Sequence, residues 1–192
     1  YPEAEEIFHR AGENFEEVYT FLSKDENPNR KKLLFSLALK DAKDLKASVL
    51  EDHLDCEQGD LPEEIFRKDL LCPRIFLEEL TPYRSMIREF FEEETKHSFA
   101  EQPERILDYL KKNITFHAEE EYDTIMATPV GVLTMKQGSP LAQKILFVAI
   151  CRSLNVAARL NPVTLEPEYY HNGAFHSVET EAAVLKDETE SA

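Results

Sequence analysis

With 192 residues, 42% of them hydrophobic and 31% charged, the chain has the composition of folded protein and not of a disordered segment. Acidic side chains outnumber basic ones 38 to 22, and a net charge of −16 opposes phosphate backbones and anionic bilayers, so nucleic acid and membrane surfaces are excluded as first partners. The longest apolar run, Ile145 to Cys151, is far shorter than the roughly 20 residues that span a bilayer, so no membrane-spanning segment is expected.

From Glu3 to Leu22 the apolar positions Ile7, Phe8, Ala11, Phe15, Val18, Tyr19 and Leu22 recur at three- and four-residue steps, which predicts one amphipathic helix that Gly12 weakens only slightly. Pro28 suits the first turn of a second helix carrying Leu33, Leu34, Leu37 and Ala38, and a third stretch is expected from about Asp44 to Asp55. "EEIFRKDLLCPRI" reads as a short helix stopped by Pro73. Thr81 and Pro82 then form a cap and first-turn pair before a buried stripe of Met86, Ile87, Phe90 and Phe91. A helix from about Pro103 to Asn113 directs Ile106, Leu107 and Leu110 inward.

Beyond Asn113 the texture changes. "ATPVGVLTMKQG" is β-branched and rich in turn residues, and "ARLNPVTLEP" and "YYHNGAFHSVE" read as strands, with Asn172-Gly173 as a two-residue hairpin turn. Between them, Ser139 and Pro140 open a helix to about Leu154 whose middle, "ILFVAIC", is apolar on every side. A helix without a polar face is wrapped by other elements, so this one belongs at the centre of the fold.

Cys56, Cys72 and Cys151 are odd in number and widely spaced, so they describe neither a disulfide framework nor a zinc site. With five glycines and no phosphate-cradling run, nucleotide binding loses ground and no cofactor is expected. "HAEEEYD", with His117, Glu119, Glu120 and Asp123, matches no metal-ligand spacing and reads as a solvated acidic loop. "FFEEETKH" reads as the charged end of a helix.

The run Leu146 to Arg159, "LFVAICRSLNVAAR", resembles the transglutaminase-like superfamily, whose buried helix ends in a motif like "LFVALLRALGIPAR". Shorter stretches, "CPRIFLEELTPYR" and "TPVGVLTM", resemble a subgroup found in large exported proteins of anaerobic gut bacteria, and the likeness extends from about residue 61 to 179. It implies an α+β fold: an N-terminal helical region over residues 1–60, then a transglutaminase-like, papain-like core over 61–192 with a central buried helix and a small antiparallel sheet. It also implies export to the periplasm or cell surface, with a leader removed and further domains in the same polypeptide. The "YPEAEEIF" opening and "KDETESA" end suit a piece of a longer chain.

The family's chemistry uses a thiolate at the helix N-terminus, where free amides and the dipole stabilise it, with a histidine base and an aspartate that orients the histidine. Counted back from Arg152, the cysteine position is Pro140, and one step further is Ser139. Serine there is a natural cap, while proline lacks the N–H that would help hold an oxyanion. Cys151 lies deep in the apolar helix, where burial makes a thiol inert. After Arg159 the chain offers His171, beside the hairpin turn, and His176, which has Glu179 or Glu181 to orient it, so Ser139 and His176 are the weak catalytic candidates.

Aromatic residues beside a polar turn can floor a groove for peptide or glycan. Tyr169, Tyr170 and His171 fit that description, and the resemblance adds Tyr83 and Arg84. The expectation is a catalytically inactive binding or scaffold module, against a hydrolase or acyltransferase with a replaced nucleophile. A third reading, a docking domain built from the N-terminal helices, expects an exposed apolar patch between Glu3 and Leu54.

Overall fold

Gly12 does more than weaken the first helix. In a computed structural model of the protein, which describes residues 2–116 and 127–178, Gly12 adopts φ +53° and the expected single helix breaks into α1 (Pro2–Ala11) and α2 (Phe15–Ser23). A 3-10 turn, Gly12–Asn14, joins them. Positive φ is cheap only for glycine, and Asn14 holds the turn by donating to the carbonyls of Ala42 and Leu45, both at 2.9 Å. After α2 come α3 (Asn29–Ser36), a 3-10 segment Leu39–Lys43, and α4 (Ala47–Asp52), shorter than the stretch expected there. The Glu17 carboxylate accepts from the Ala47 amide at 2.6 Å, so a remote side chain supplies the cap that Lys46 cannot. α5 (Glu63–Phe66) runs into a π-helical turn, Arg67–Leu71, and stops before Pro73 as expected.

These elements form the first of two compact units, residues 1–74 with 80–82. Ile7, Val18, Phe21, Leu33, Leu34, Leu45, Leu50, Phe66, Leu70 and Leu71 fill its interior. Arg30, itself buried, donates to Asp25, to Glu51 and to the Phe21 carbonyl. Residues 61–74, grouped with the core in the sequence reading, cluster here instead. Arg74 makes a two-pronged ion pair with Asp41, 2.9 and 2.8 Å, and Lys32 reaches Glu63 at 3.0 Å.

The second unit comprises residues 75–79 and 83–192. It opens with α6 (Tyr83–Phe90), α7 (Glu93–Glu101) and α8 (Glu104–Asn113). Thr81 does not cap α6: the helix starts at Tyr83, and among the described residues the buried Thr81 hydroxyl has no hydrogen-bond partner. The buried face of α6 is Tyr83, Arg84 and Ile87, continued by Phe91, whereas Met86 and Phe90 are 48% and 43% exposed. Ile87 and Phe91 of the expected stripe are thus buried, and Met86 and Phe90 are not.

Two short strands, β1 (Thr115–Phe116) and β2 (Gln137–Gly138), pair in parallel. Ahead of β2 stands α9 (Pro129–Met135), a helix where the sequence reading saw only β-branched, turn-rich texture. Its signal was a Thr128-Pro129 pair, with the Thr128 hydroxyl accepting from the Gly131 amide at 3.1 Å.

The central helix, α10 (Pro140–Ser153), is wrapped as its composition demands, and Ile145 through Cys151 have no exposed surface. It packs against α6, α8 and α9 and against an antiparallel sheet of β3 (Ala158–Leu160), β4 (Pro167–His171) and β5 (Ala174–Ser177), in that order. Asn172 and Gly173, at φ 49° and 81°, make the expected hairpin turn and set Tyr169 opposite His176 and Tyr170 opposite Phe175. The fold is α+β, mainly helical, with a small three-stranded antiparallel sheet and a two-stranded parallel pair among the described residues. No helix among the described residues is long and apolar enough to cross a membrane.

Candidate functional site

The mouth of α10 is where the sequence directs attention. Ser139 sits there in extended conformation, and its hydroxyl accepts from the Ala142 amide at 3.1 Å while its carbonyl accepts from Gln143 at 3.0 Å. Pro140 follows as the first helical residue, so the amide that would point out of the mouth is missing. Gln143 folds back and donates to the Gly138 carbonyl at 3.1 Å.

One turn further in, Lys144 is paired with Glu166 at 2.7 Å, their side chains only 13% and 24% exposed. Glu166 belongs to the loop between β3 and β4, anchored where Asn161 donates to the Glu166 carbonyl at 2.8 Å. Its second carboxylate oxygen is buried and has no hydrogen-bond partner among the described residues. No sequence signal announced this pair, because its members are 22 residues apart.

The far end of α10 is closed by guanidinium groups. Arg84 donates to the Arg152 carbonyl at 3.4 Å, Arg88 to the Ser153 carbonyl at 2.6 Å, and Arg152 to the Ala158 carbonyl at 2.9 Å. Cations at a helix C-terminus satisfy orphan carbonyls and complement the dipole. Arg84 has no exposed surface and Tyr83 only 2%, so both candidate binding residues lie in the core and not on the surface. Cys151 is likewise fully buried, and burial pushes its thiol well above the usual range.

The hairpin separates its aromatic residues between the two faces of the sheet. Tyr169 points inward, 7% exposed, and its hydroxyl donates to Glu104 at the start of α8. Burial, then the hydrogen bond to Glu104, pushes this phenol up to about 12. The His176 ring stacks on Tyr169 at 5.4 Å, and its Nε2 donates to the His171 carbonyl at 3.0 Å. His176 is exposed, and the hydrogen bond that orients it comes from a carbonyl and not a carboxylate. Glu179, Glu181 and the "HAEEEYD" residues His117, Glu119, Glu120 and Asp123 lie outside the described residues.

On the other face, Tyr170 meets Phe175 edge to face at 5.3 Å, and the Arg159 guanidinium lies 3.8 Å above the Phe175 ring while donating to Glu168 at 2.6 Å. Tyr170, Phe175 and Arg159 are all half-buried. Of the sequence candidates, the hairpin thus places Tyr170 on the outer face and brings Tyr169, His171 and His176 together on the other, the His171 and His176 ring centroids 6.1 Å apart. No hydrogen bond among the described residues joins Ser139 to His176, since each is engaged elsewhere. Phe175 and Arg159 were missed, although Phe175 stands directly across the hairpin from Tyr170.

Among the described residues, no group of three or more histidine, cysteine or acidic side chains could hold a metal ion. Searches among curated proteins and among solved structures found no match. The family model of the transglutaminase-like superfamily core does match, over residues 84–180, just over half of the 192-residue chain and wholly within the second unit. On that match, and with a buried central helix packed on a three-stranded antiparallel sheet, the chain belongs to the transglutaminase-like superfamily.

Proposed function

We propose that the second unit is a non-catalytic binding or scaffold module, in a larger exported protein, that takes peptide or glycan on the outer face of its hairpin. The observation that carries this reading is the occupancy of the α10 mouth: Ser139 caps Ala142, Pro140 removes an amide, and Lys144 and Glu166 neutralise each other behind them. An alkoxide nucleophile needs a base within reach, and among the described residues the Ser139 hydroxyl has no such hydrogen-bond neighbour. The neighbouring sulfur on this helix, Cys151, is buried three turns from the mouth. Tyr170, Phe175 and Arg159 supply flat apolar and cationic surface of the sort that peptides and sugars stack on. Export and further domains rest on the likeness to the gut-bacterial subgroup.

The test has two arms. Native protein is incubated with a serine-directed phosphonate and with iodoacetamide, then mapped by mass spectrometry; Ser139 is expected to stay unlabelled, and a Ser139 adduct that vanishes in His176→Ala refutes the reading. Arrays of peptides and oligosaccharides are then titrated against the wild type and Tyr170→Ala. Binding lost in the variant supports the hairpin face, and binding that is indifferent to it removes that assignment.

A further inference from the structure

Helices α1 and α2 bury one face through Ile7, Ala11, Val18 and Phe21, yet they carry a second row of aromatic residues on the outside. Phe8 touches Phe15 with ring centroids 4.9 Å apart, and Phe15 continues to Tyr19 at 5.9 Å with planes only 16° apart. Phe15 is 45% exposed and Tyr19 56%, so the row is a continuous apolar strip and not three scattered side chains. The turn at Gly12–Asn14 makes the strip possible by bringing Phe8 and Phe15, on separate helices, into ring contact.

The surroundings of the strip are acidic. Glu5, one turn before Phe8, and Glu16, beside Phe15, are both exposed, and residues 2–23 hold six glutamates against the single arginine Arg10. We propose that the Phe8–Phe15–Tyr19 strip docks a cationic amphipathic segment of a partner protein, whose apolar side chains cover the rings while its lysines or arginines meet Glu5 and Glu16. Aromatic faces attract cations as well as apolar groups, so both halves of such a segment find a match. A second copy of this chain is a poorer occupant, since −16 would face −16. A glycan is also poorer, because the 44° tilt between Phe8 and Phe15 interrupts a flat stacking floor.

The experiment titrates an amphipathic leucine–lysine peptide, with its leucine–glutamate counterpart as control, into the isotopically labelled full chain, read by amide chemical shifts and by sedimentation. Shifts confined to the strip, tighter binding at low salt, and no response to the leucine–glutamate peptide are expected. Phe15→Ser with Tyr19→Ser leaves the net charge untouched and should weaken binding roughly ten-fold. Glu16→Lys, which keeps the rings, should weaken it too. Equal binding by the double variant reduces the effect to general attraction by an acidic chain and overturns the proposal. So do an absence of shifts, shifts centred elsewhere, capture of the leucine–glutamate peptide, or self-association through this face.

Discussion

Replacing Ser139 with alanine separates a cap from a nucleophile by stability alone. The hydroxyl accepts from the Ala142 amide, and Ala142 is only 2% exposed, so water cannot readily take over that N–H when the oxygen is removed. Loss of an N-cap costs about 0.5–2 kcal/mol, and a buried orphan amide moves the value to the upper half, about 1–2 kcal/mol. For a cooperative unit of this size that is a fall in Tm of about 2–8 °C, or a lower urea midpoint at unchanged slope. Ser139→Gly should cost only a few tenths of a kcal/mol more than wild type, roughly, since glycine tolerates the cap position. Ser139→Asp should hold or exceed wild-type stability, because a carboxylate caps as well and gains about 0.3–1 kcal/mol from the helix dipole. Paired urea melts of the four proteins decide it. If alanine is neutral, or aspartate is no better than alanine, the hydroxyl is not serving the helix and the reasoning about the α10 mouth fails.

Arg84→Ala should destabilise by about 3 kcal/mol or more, since it opens a cavity and strips the Arg152 carbonyl of its donor, while Met86→Ala on the exposed side of α6 should cost about 0.5 kcal/mol at most. Similar urea midpoints for the two would refute the assigned register of α6. Lys144→Met should cost about 1–3 kcal/mol by leaving the Glu166 carboxylate partly buried and unpaired, and adding Glu166→Leu should recover most of it; a purely additive double mutant would deny the coupling. Alkaline pH should destabilise the protein through Tyr169. Its folded value is raised to about 12 from an ordinary 10.0, so the neutral phenol's contribution is complete below pH 10 and is lost as pH rises from there to 12. Tyr169→Phe should flatten that limb in melts across the range, and an unchanged limb would rule the phenol out.

What the sequence disclosed was mostly what local chemistry encodes. The Ser139-Pro140 pair, the all-apolar run to Cys151 and Asn172-Gly173 each carry their conformation within a few residues, and the central helix and hairpin follow from them. The same Thr-Pro logic holds at Thr128 and fails at Thr81, whose hydroxyl has no partner among the described residues. Nothing within either dipeptide distinguishes the two outcomes. Gly12 was read for its propensity cost, whereas its conformation was decided by Asn14 reaching carbonyls about thirty residues away. Long-range pairs such as Lys144 with Glu166, Tyr169 with Glu104, and Arg84 with the end of α10 lie beyond any periodicity argument. Tyr83 and Arg84 entered as binding candidates through the resemblance alone, and a resemblance in sequence does not carry the burial of either side chain.

A Cβ on Gly138 would stand 2.8 Å from a methyl of Val132, a stiff side chain that cannot swing aside. The chain therefore threads into α10 through a slot as narrow as bare backbone. For protein engineers this slot is a fixed point: any residue larger than glycine at position 138 would press on Val132 and push α9 away from the start of α10.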